Sequence, residues 1–273
     1  MSNVVKSVIV LLLSIVAVHA VYQGYIRPEA ELALELARQA GQSAPRVMVV
    51  ILKDYEQEIS IILMFWGVFL ILAKCFEILK DRFVFSVDLL EGLGDGQENP
   101  EQALHALHEL PDNIKATPLV KTLTASLRRY LITRDVQNTS DAILSAIEAL
   151  AIKQEAENSM IRYLIWAIPS IGFIGTVRGI GQALSLADQA LAGDIAGMTD
   201  SLGVAFNSTL VALLISIGLM FLLHQLQRLQ DGVVVATQEY CEQFLLTRIS
   251  LAWDKIAKPA AKPAAKPAAN PVE

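Results

Sequence analysis

Two stretches decide how this chain folds: Ile168-Pro-Ser-Ile-Gly-Phe-Ile-Gly-Thr-Val-Arg-Gly-Ile-Gly181 and Leu202-Gly-Val-Ala-Phe-Asn-Ser-Thr-Leu-Val-Ala-Leu-Leu-Ile-Ser-Ile217. They lie in two apolar segments, 163–177 and 202–223. Neither segment alternates with the two-residue period of a strand, and the second is long enough to cross a hydrocarbon core as a helix. On a helical projection Pro169, Gly172, Thr176, Gly179 and Ala183 share one narrow face of the first helix. Ala205, Thr209, Ala212 and Ser216 share one face of the second. In lipid no hydrophobic drive joins helix to helix, so faces of small residues mark where another helix packs closely. Each of these faces carries one threonine hydroxyl, and Ser208 adds another beside Thr209.

The remaining composition agrees with a membrane chain. The 273 residues are 53% hydrophobic and 18% charged, and the mean hydropathy is +0.45, outside the range of ordinary soluble domains. A net charge of -6 argues against nucleic acid as a partner, because phosphate binding needs a concentrated basic face. The expected fold is all-α: a polytopic membrane helical bundle whose long helices extend into a cytoplasmic helical domain.

Seven regions are expected. Residues 1–23 are either an N-terminal transmembrane helix or a signal peptide, with Val18-His-Ala20 as its cleavage signal. Residues 24–58 are an amphipathic segment on the periplasmic side, with a short helix from Glu29 to Gln42 carrying Leu32 and Leu36 on one face. A transmembrane helix follows at 59–80, with Lys74 snorkelling. Residues 81–158 form a cytoplasmic helical region, with helices at 100–110 and 117–133 and a third capped by Thr139-Ser-Asp141. That third helix is expected to run on into the membrane. Residues 159–224 hold the two core transmembrane helices, 225–256 a cytoplasmic C-terminal helix, and 257–273 an extended Lys-Pro-Ala-Ala tail. Gly92, Gly94 and Gly96 with Asn99-Pro100 mark a turn or loop.

Lys and Arg are distributed unevenly. Residues 24–58 hold four and the loop 179–201 none, whereas 74–162 hold ten and the chain from 224 holds six. The positive-inside rule then places 74–162 and the C-terminal region in the cytoplasm. Cys75 and Cys241 both fall on that side, which argues against a disulfide.

Nothing marks an enzyme: the chain has no HExxH, no Gly-x-Ser-x-Gly and no nucleotide-binding Gly-Lys-Ser/Thr. His105 and His108 stand three apart on a helix, but no third ligand accompanies them, so no metal site and no cofactor is expected.

The pair Gly172-Phe-Ile-Gly-Thr-Val-Arg-Gly-Ile and Ala205-Phe-Asn-Ser-Thr-Leu-Val-Ala-Leu resembles the MotA/TolQ/ExbB proton channel family, and is most similar to its ExbB and TolQ branch. In those relatives a Glu commonly sits five positions before the second threonine, where this chain has Val204. The resemblance implies a multi-pass protein of a bacterial inner membrane that forms a homopentamer. It further implies a single-span partner of the ExbD/TolR/MotB type, and transport of H+ or Na+ to drive protein transport or other work outside the membrane. A flagellar MotA-like stator subunit and a non-conducting membrane scaffold are the alternatives. Thr176, Thr209 and Ser208 are expected on the ion pathway. Pro169, Gly172, Gly179, Ala205, Ala212 and Ser216 are expected on a face for helix packing or for a partner. Arg178 is expected near one end of the core, about 24 Å along the helix from Arg162 at 1.5 Å per residue. There it either snorkels to lipid headgroups or forms an outer gate. No Asp, Glu, Lys or His lies in 59–73, 163–177 or 202–223, so the ion-carrying carboxylate must come from the partner.

Overall fold

A computed structural model describes residues 3–40, 45–90, 100–193 and 195–250. The loop expected around Gly92–Gly96, the Gly41 end of the periplasmic helix, and the Lys-Pro-Ala-Ala tail fall outside these residues. In chain order the α-helices are α1 Asn3–Val21, α2 Arg27–Gln39, α3 Met48–Leu52 and α4 Tyr55–Asp81. There follow α5 Pro100–Glu109, α6 Asp112–Lys115, α7 Pro118–Thr133, α8 Val136–Glu157, α9 Ser159–Ser185, α10 Ala187–Leu191 and α11 Ala196–Tyr240. No strand occurs among the described residues, and four helical runs are long and apolar enough to cross a membrane: Val5–Gln39, Tyr55–Ser86, Val136–Ser185 and Ala196–Ser250.

The chain divides into two units. One comprises 1–79 with 154–230, the other 80–153 with 231–273.

In the first unit a π-helical turn, Tyr22–Ile26, runs from α1 into α2 without a break, and Pro28, which has no N–H to give, follows in the first turn of α2. The expected apolar face of α2 is not the one buried: Leu32 and Leu36 are exposed, and Ala30 is buried. A small side chain permits the closest approach there, and the leucines are left for the surroundings. The Trp66 indole N–H donates to Ser7 Oγ at 2.9 Å, tying α4 to α1. Val18, Tyr22 and Ile26 pack with Leu52, Ile61 and Ile62. Ile71, Ile161, Ile165, Ile168, Ala212, Leu219, Leu223 and Leu226 form the cluster joining α4, α9 and α11. Lys74 does not simply snorkel; its Nζ donates to Glu157 at 2.8 Å. Asn158 separates α8 from α9 and exchanges two amide hydrogen bonds with Gln230, at 2.7 and 3.3 Å. Both are buried, and a reciprocal amide pair satisfies groups that would be costly alone.

The second unit has a core of large apolar side chains. Leu107, Leu119, Leu123, Leu127, Ile143, Tyr240, Leu245 and Ile249 are all buried in it. α8 begins at Val136, three residues before the expected cap: Asp135 Oδ1 accepts from Gln137 N at 3.1 Å, so the aspartate and not Thr139 caps the helix. Arg134, at φ 52, closes α7 in the left-handed conformation immediately before. A π-helical turn, Cys241–Leu246, follows α11. The added residue shifts the phase, so Cys241, Leu245 and Ile249 face the core while Phe244 is only half-buried. The Tyr240 hydroxyl accepts from Leu89 N and donates to Val87 O. Arg248 binds Asp88 through both guanidinium nitrogens, at 3.1 and 2.5 Å.

Candidate functional site

Two glycines and their alanine partners set how close α9 and α11 can come. A Cβ at Gly172 would lie 2.5 Å from Ala212 Cβ, and one at Gly179 would lie 2.7 Å from Ala205 N and Ser201 O. Between them, a Cβ at Gly175 would meet Ser208 Cβ at 2.5 Å. Each glycine in a helix interior costs about 1 kcal/mol against alanine; here the return is contact between two backbones in a setting where dispersion and hydrogen bonds drive association. The small faces therefore do pack against a helix, but against the chain's own. Gly172 and Gly179 meet Ala212 and Ala205 of the same chain.

Pro169 and Ser216, named on the same faces, have a joint role. Proline has no N–H for the carbonyl four residues earlier, so Ile165 O loses its helical donor. Ser216 Oγ donates to Ile165 O at 2.8 Å. The neighbouring helix thus repairs the backbone gap that the proline opens, as membrane helices must.

The same close approach brings the two threonines together. Thr176 Oγ1 and Thr209 Oγ1 are hydrogen-bonded to each other. Thr209 Oγ1 lies 3.1 Å from Gly172 O, and Thr176 Oγ1 lies 3.1 Å from Ala205 O and 3.3 Å from Gly172 O. Each hydroxyl has one proton, so two arrangements satisfy the pair. Either Thr176 donates to Thr209, which donates to Gly172 O, or Thr209 donates to Thr176, which donates to a carbonyl. The two arrangements differ only in the direction in which the hydroxyls point, and both residues are only half-buried. Ser208 is placed differently: it is buried, and its hydroxyl donates to its own helix at Val204 O, 2.8 Å away.

Arg178, two residues beyond Thr176, does not reach for headgroups. Its Nε and Nη2 donate to Glu56 Oε1 and Oε2, both at 2.8 Å, and Nη2 is 3.5 Å from Asp54 Oδ1. The Glu56 stem lies over Gly175, 3.2 Å from where a Cβ would stand. Two residues on, Glu58 takes Arg27 Nη2 at 2.5 Å and His19 Nδ1 at 2.7 Å. Glu56 and Glu58 are buried, and removing one partner of such a pair strands a buried charge. Burial pushes the Asp54 carboxyl above the ordinary carboxylate range, and the Glu56 charge adds to this; Lys53 and Arg178 oppose it.

The sequence reading missed these carboxylates because it began the spanning helix at Ile59. α4 begins at Tyr55, so Glu56 and Glu58 sit in its buried first turn. The available signal was Arg178 itself: a lone cation in an apolar stretch needs an anion, and three acids, at 54, 56 and 58, stand just before the span at 59. Gly175 was the other clue, since it opens the space that Glu56 fills.

The histidine pair stays apart from all this. His105 Nδ1 is 3.4 Å from Glu109 Oε1, and His108 Nδ1 donates to Leu104 O at 2.7 Å. Among the described residues no group of three or more His, Cys, Asp or Glu is placed to hold a metal ion.

Fold and site together define a class: a multi-span helical membrane protein whose two core helices are joined through glycine contacts and paired hydroxyls. Residues 114–239 match the model of the MotA/TolQ/ExbB proton channel family. That match contains both threonines and Arg178, so over this stretch the chain is similar to a family of proton channels. No curated protein and no solved structure matches the chain.

Proposed function

We propose that the chain is the channel-forming subunit of a proton-driven motor in a bacterial inner membrane, of the ExbB and TolQ kind. Several copies, five by resemblance, surround a single-span partner whose membrane aspartate carries the proton past the hydroxyls. One observation carries the reading: Thr176 and Thr209 are hydrogen-bonded across α9 and α11, within the apolar stretches 163–177 and 202–223 that offer no Asp, Glu, Lys or His. A hydroxyl pair can pass a proton but does not titrate near neutral pH, so a carboxylate from elsewhere must load it. Arg178, fixed on Glu56 two residues from Thr176, is the gate in this reading.

The test is proton flux in vesicles. The chain alone should be silent, and flux should appear on co-expression with a single-span partner carrying a membrane Asp. Thr209→Val should lower that flux at least about a hundredfold, the lower size expected for losing one positioned proton-transfer group, and Thr209→Ser should keep part of it. Arg178→Ala should raise the resting leak. Flux from the lone subunit, or native flux from the valine variant, would end the proposal.

A second reading has its own support: both hydroxyls can be satisfied by the backbone carbonyls Gly172 O and Ala205 O, as in a scaffold with no conduction. On that reading Thr209→Val lowers stability, and no partner elicits flux.

A further inference from the structure

The acids at the Arg178 end outnumber the arginines that bind them. Glu56 occupies both donor edges of Arg178, and Glu58 occupies Arg27 together with His19. Asp54 is left with the looser contact, 3.5 Å to an Arg178 nitrogen that already donates to Glu56. Its second oxygen, Oδ2, is buried with no hydrogen-bond partner. Lys53, next in the chain, bears on Asp54 through space without an ion pair.

Two further polar groups in the same part of the chain are unmatched. Gln57 is 1% exposed, and its Oε1 has no partner although its Nε2 donates to Ile51 O at 3.0 Å. Tyr22 is 1% exposed, its hydroxyl has no partner, and it lies within the electrostatic reach of Glu58, Arg27 and Asp54. Local sequence adds weight. Asp54-Tyr-Glu-Gln57 has the spacing of a capping box, in which the aspartate would accept the Gln57 N–H and the glutamine would reach back. Instead Asp54 turns one oxygen to Arg178 and buries the other, while Gln57 reaches Ile51. A local rule given up at a buried charged cluster points to a function there.

We infer that Asp54 is a proton-binding site at the Arg178 end of the spanning helices, holding a proton on the carboxyl oxygen that no cation or donor meets. The proton converts a buried orphan acceptor into a donor, and it removes the charge that the two arginines do not balance. Its release breaks the O–H bond, leaves the electron pair on the carboxylate and passes the proton to water. Arg178 is then shared between Asp54 and Glu56, which loosens its hold on Glu56 beside Gly175. This rests on the proton-channel reading and gives it an entry point: proton loading at Asp54 and the position of Arg178 become one event, two residues from Thr176.

The test is infrared spectroscopy of the full chain in lipid nanodiscs, which needs neither flux nor partner. At neutral pH the native protein should show a protonated-carboxyl band that shifts in D2O and on labelling with 13C-carboxyl aspartate. Asp54→Asn should remove it. Glu56→Gln frees Arg178 for Asp54, so the band should titrate away at least about one pH unit lower, a tenfold weaker proton affinity. If the aspartate label moves no protonated band in the native protein, or if the band survives in Asp54→Asn, the site is not there. The label decides even if the asparagine variant fails to insert. A silent channel with the band present would instead overturn the conduction reading alone.

Discussion

The two units bury opposite kinds of side chain. In the unit of 80–153 and 231–250 the interior is Leu107, Leu119, Leu123, Leu127, Ile143 and Tyr240. Where α9 meets α11 in the other unit, the contact residues are Gly172, Gly175, Gly179, Ala205, Ser208 and Ala212. α11 carries both styles, small residues toward its start and Tyr240 at its end. The difference follows from what surrounds each part. Water rewards removal of large apolar surface, at about 25 cal/mol per Å²; lipid gives no such reward, so contact there depends on how closely backbones approach and how well polar groups are matched.

The largest effects should come from exchanging the two styles. Gly172→Leu places a side chain where a bare Cβ already lies 2.5 Å from Ala212 Cβ, and no rotamer relieves a clash with Cβ and backbone. It should separate α9 from α11 and abolish the hydrogen bond between Thr176 and Thr209. Crosslinking of cysteines introduced on the two helices would read this out, with native crosslinking as the refuting result. Leu123→Ala, in the other unit, should leave that crosslink intact and lower stability by about 2–5 kcal/mol, the usual cost of a core truncation. If leucine at 172 were tolerated and alanine at 123 had no effect, the contrast between the units would be false.

How much of this could be read from residues alone follows the same division. The faces of 172, 179, 205 and 212 were legible because small residues recur at helical spacing in an apolar run. Whose helix would fill them was not, since spacing says that a backbone comes close but not which one. Helices at 100–109 and 118–133 were legible from Pro100, Thr117 and their apolar periods. The phase slip at 241–246 was not, because a π-helical turn leaves no compositional mark; it buries Leu245 and leaves Phe244 half-buried. The charged collar was missed for a different reason. Tyr55 through Glu58 reads as a polar lead-in, and only the fold shows that Arg178 makes it affordable to bury Glu56.

A smaller effect sharpens the lipid side of the comparison. Ser216→Ala should leave Ile165 O, already without a proline N–H, unmatched in a buried setting. The loss should be about 1–2 kcal/mol, the scale of a hydrogen bond within membrane helices. Pro169→Ala restores the N–H, so in that background Ser216→Ala should cost little. Unfolding in mild detergent on the four-member cycle measures the coupling. Equal costs in both backgrounds would show that Ser216 does not compensate for the proline.

The smallest effect lies on the aqueous side, where charge can be tuned without rearranging the core. Burial opposes ionisation of Asp88, but hydrogen bonds from Arg248 and from Leu90 N, with the Arg248 charge, hold its carboxyl below the ordinary range. The native state therefore binds the proton less readily than the unfolded chain does, whose aspartates titrate near ~3.9. The sign follows: the contribution is fully present above the ordinary aspartate range and is lost as pH falls through the lowered native value. Asp88 is about a third exposed, so solvent screens the pair and the effect stays small. Thermal unfolding of the native chain and of Asp88→Asn should differ between pH 7 and about pH 5, where Asp88 is ionised in both states, and the two should converge below the ordinary aspartate range. A difference that persisted unchanged in acid would mean that Asp88 acts through the Leu90 hydrogen bond and the shape of the 87–90 segment. The charge on Arg248 would then be incidental to holding that segment on Tyr240.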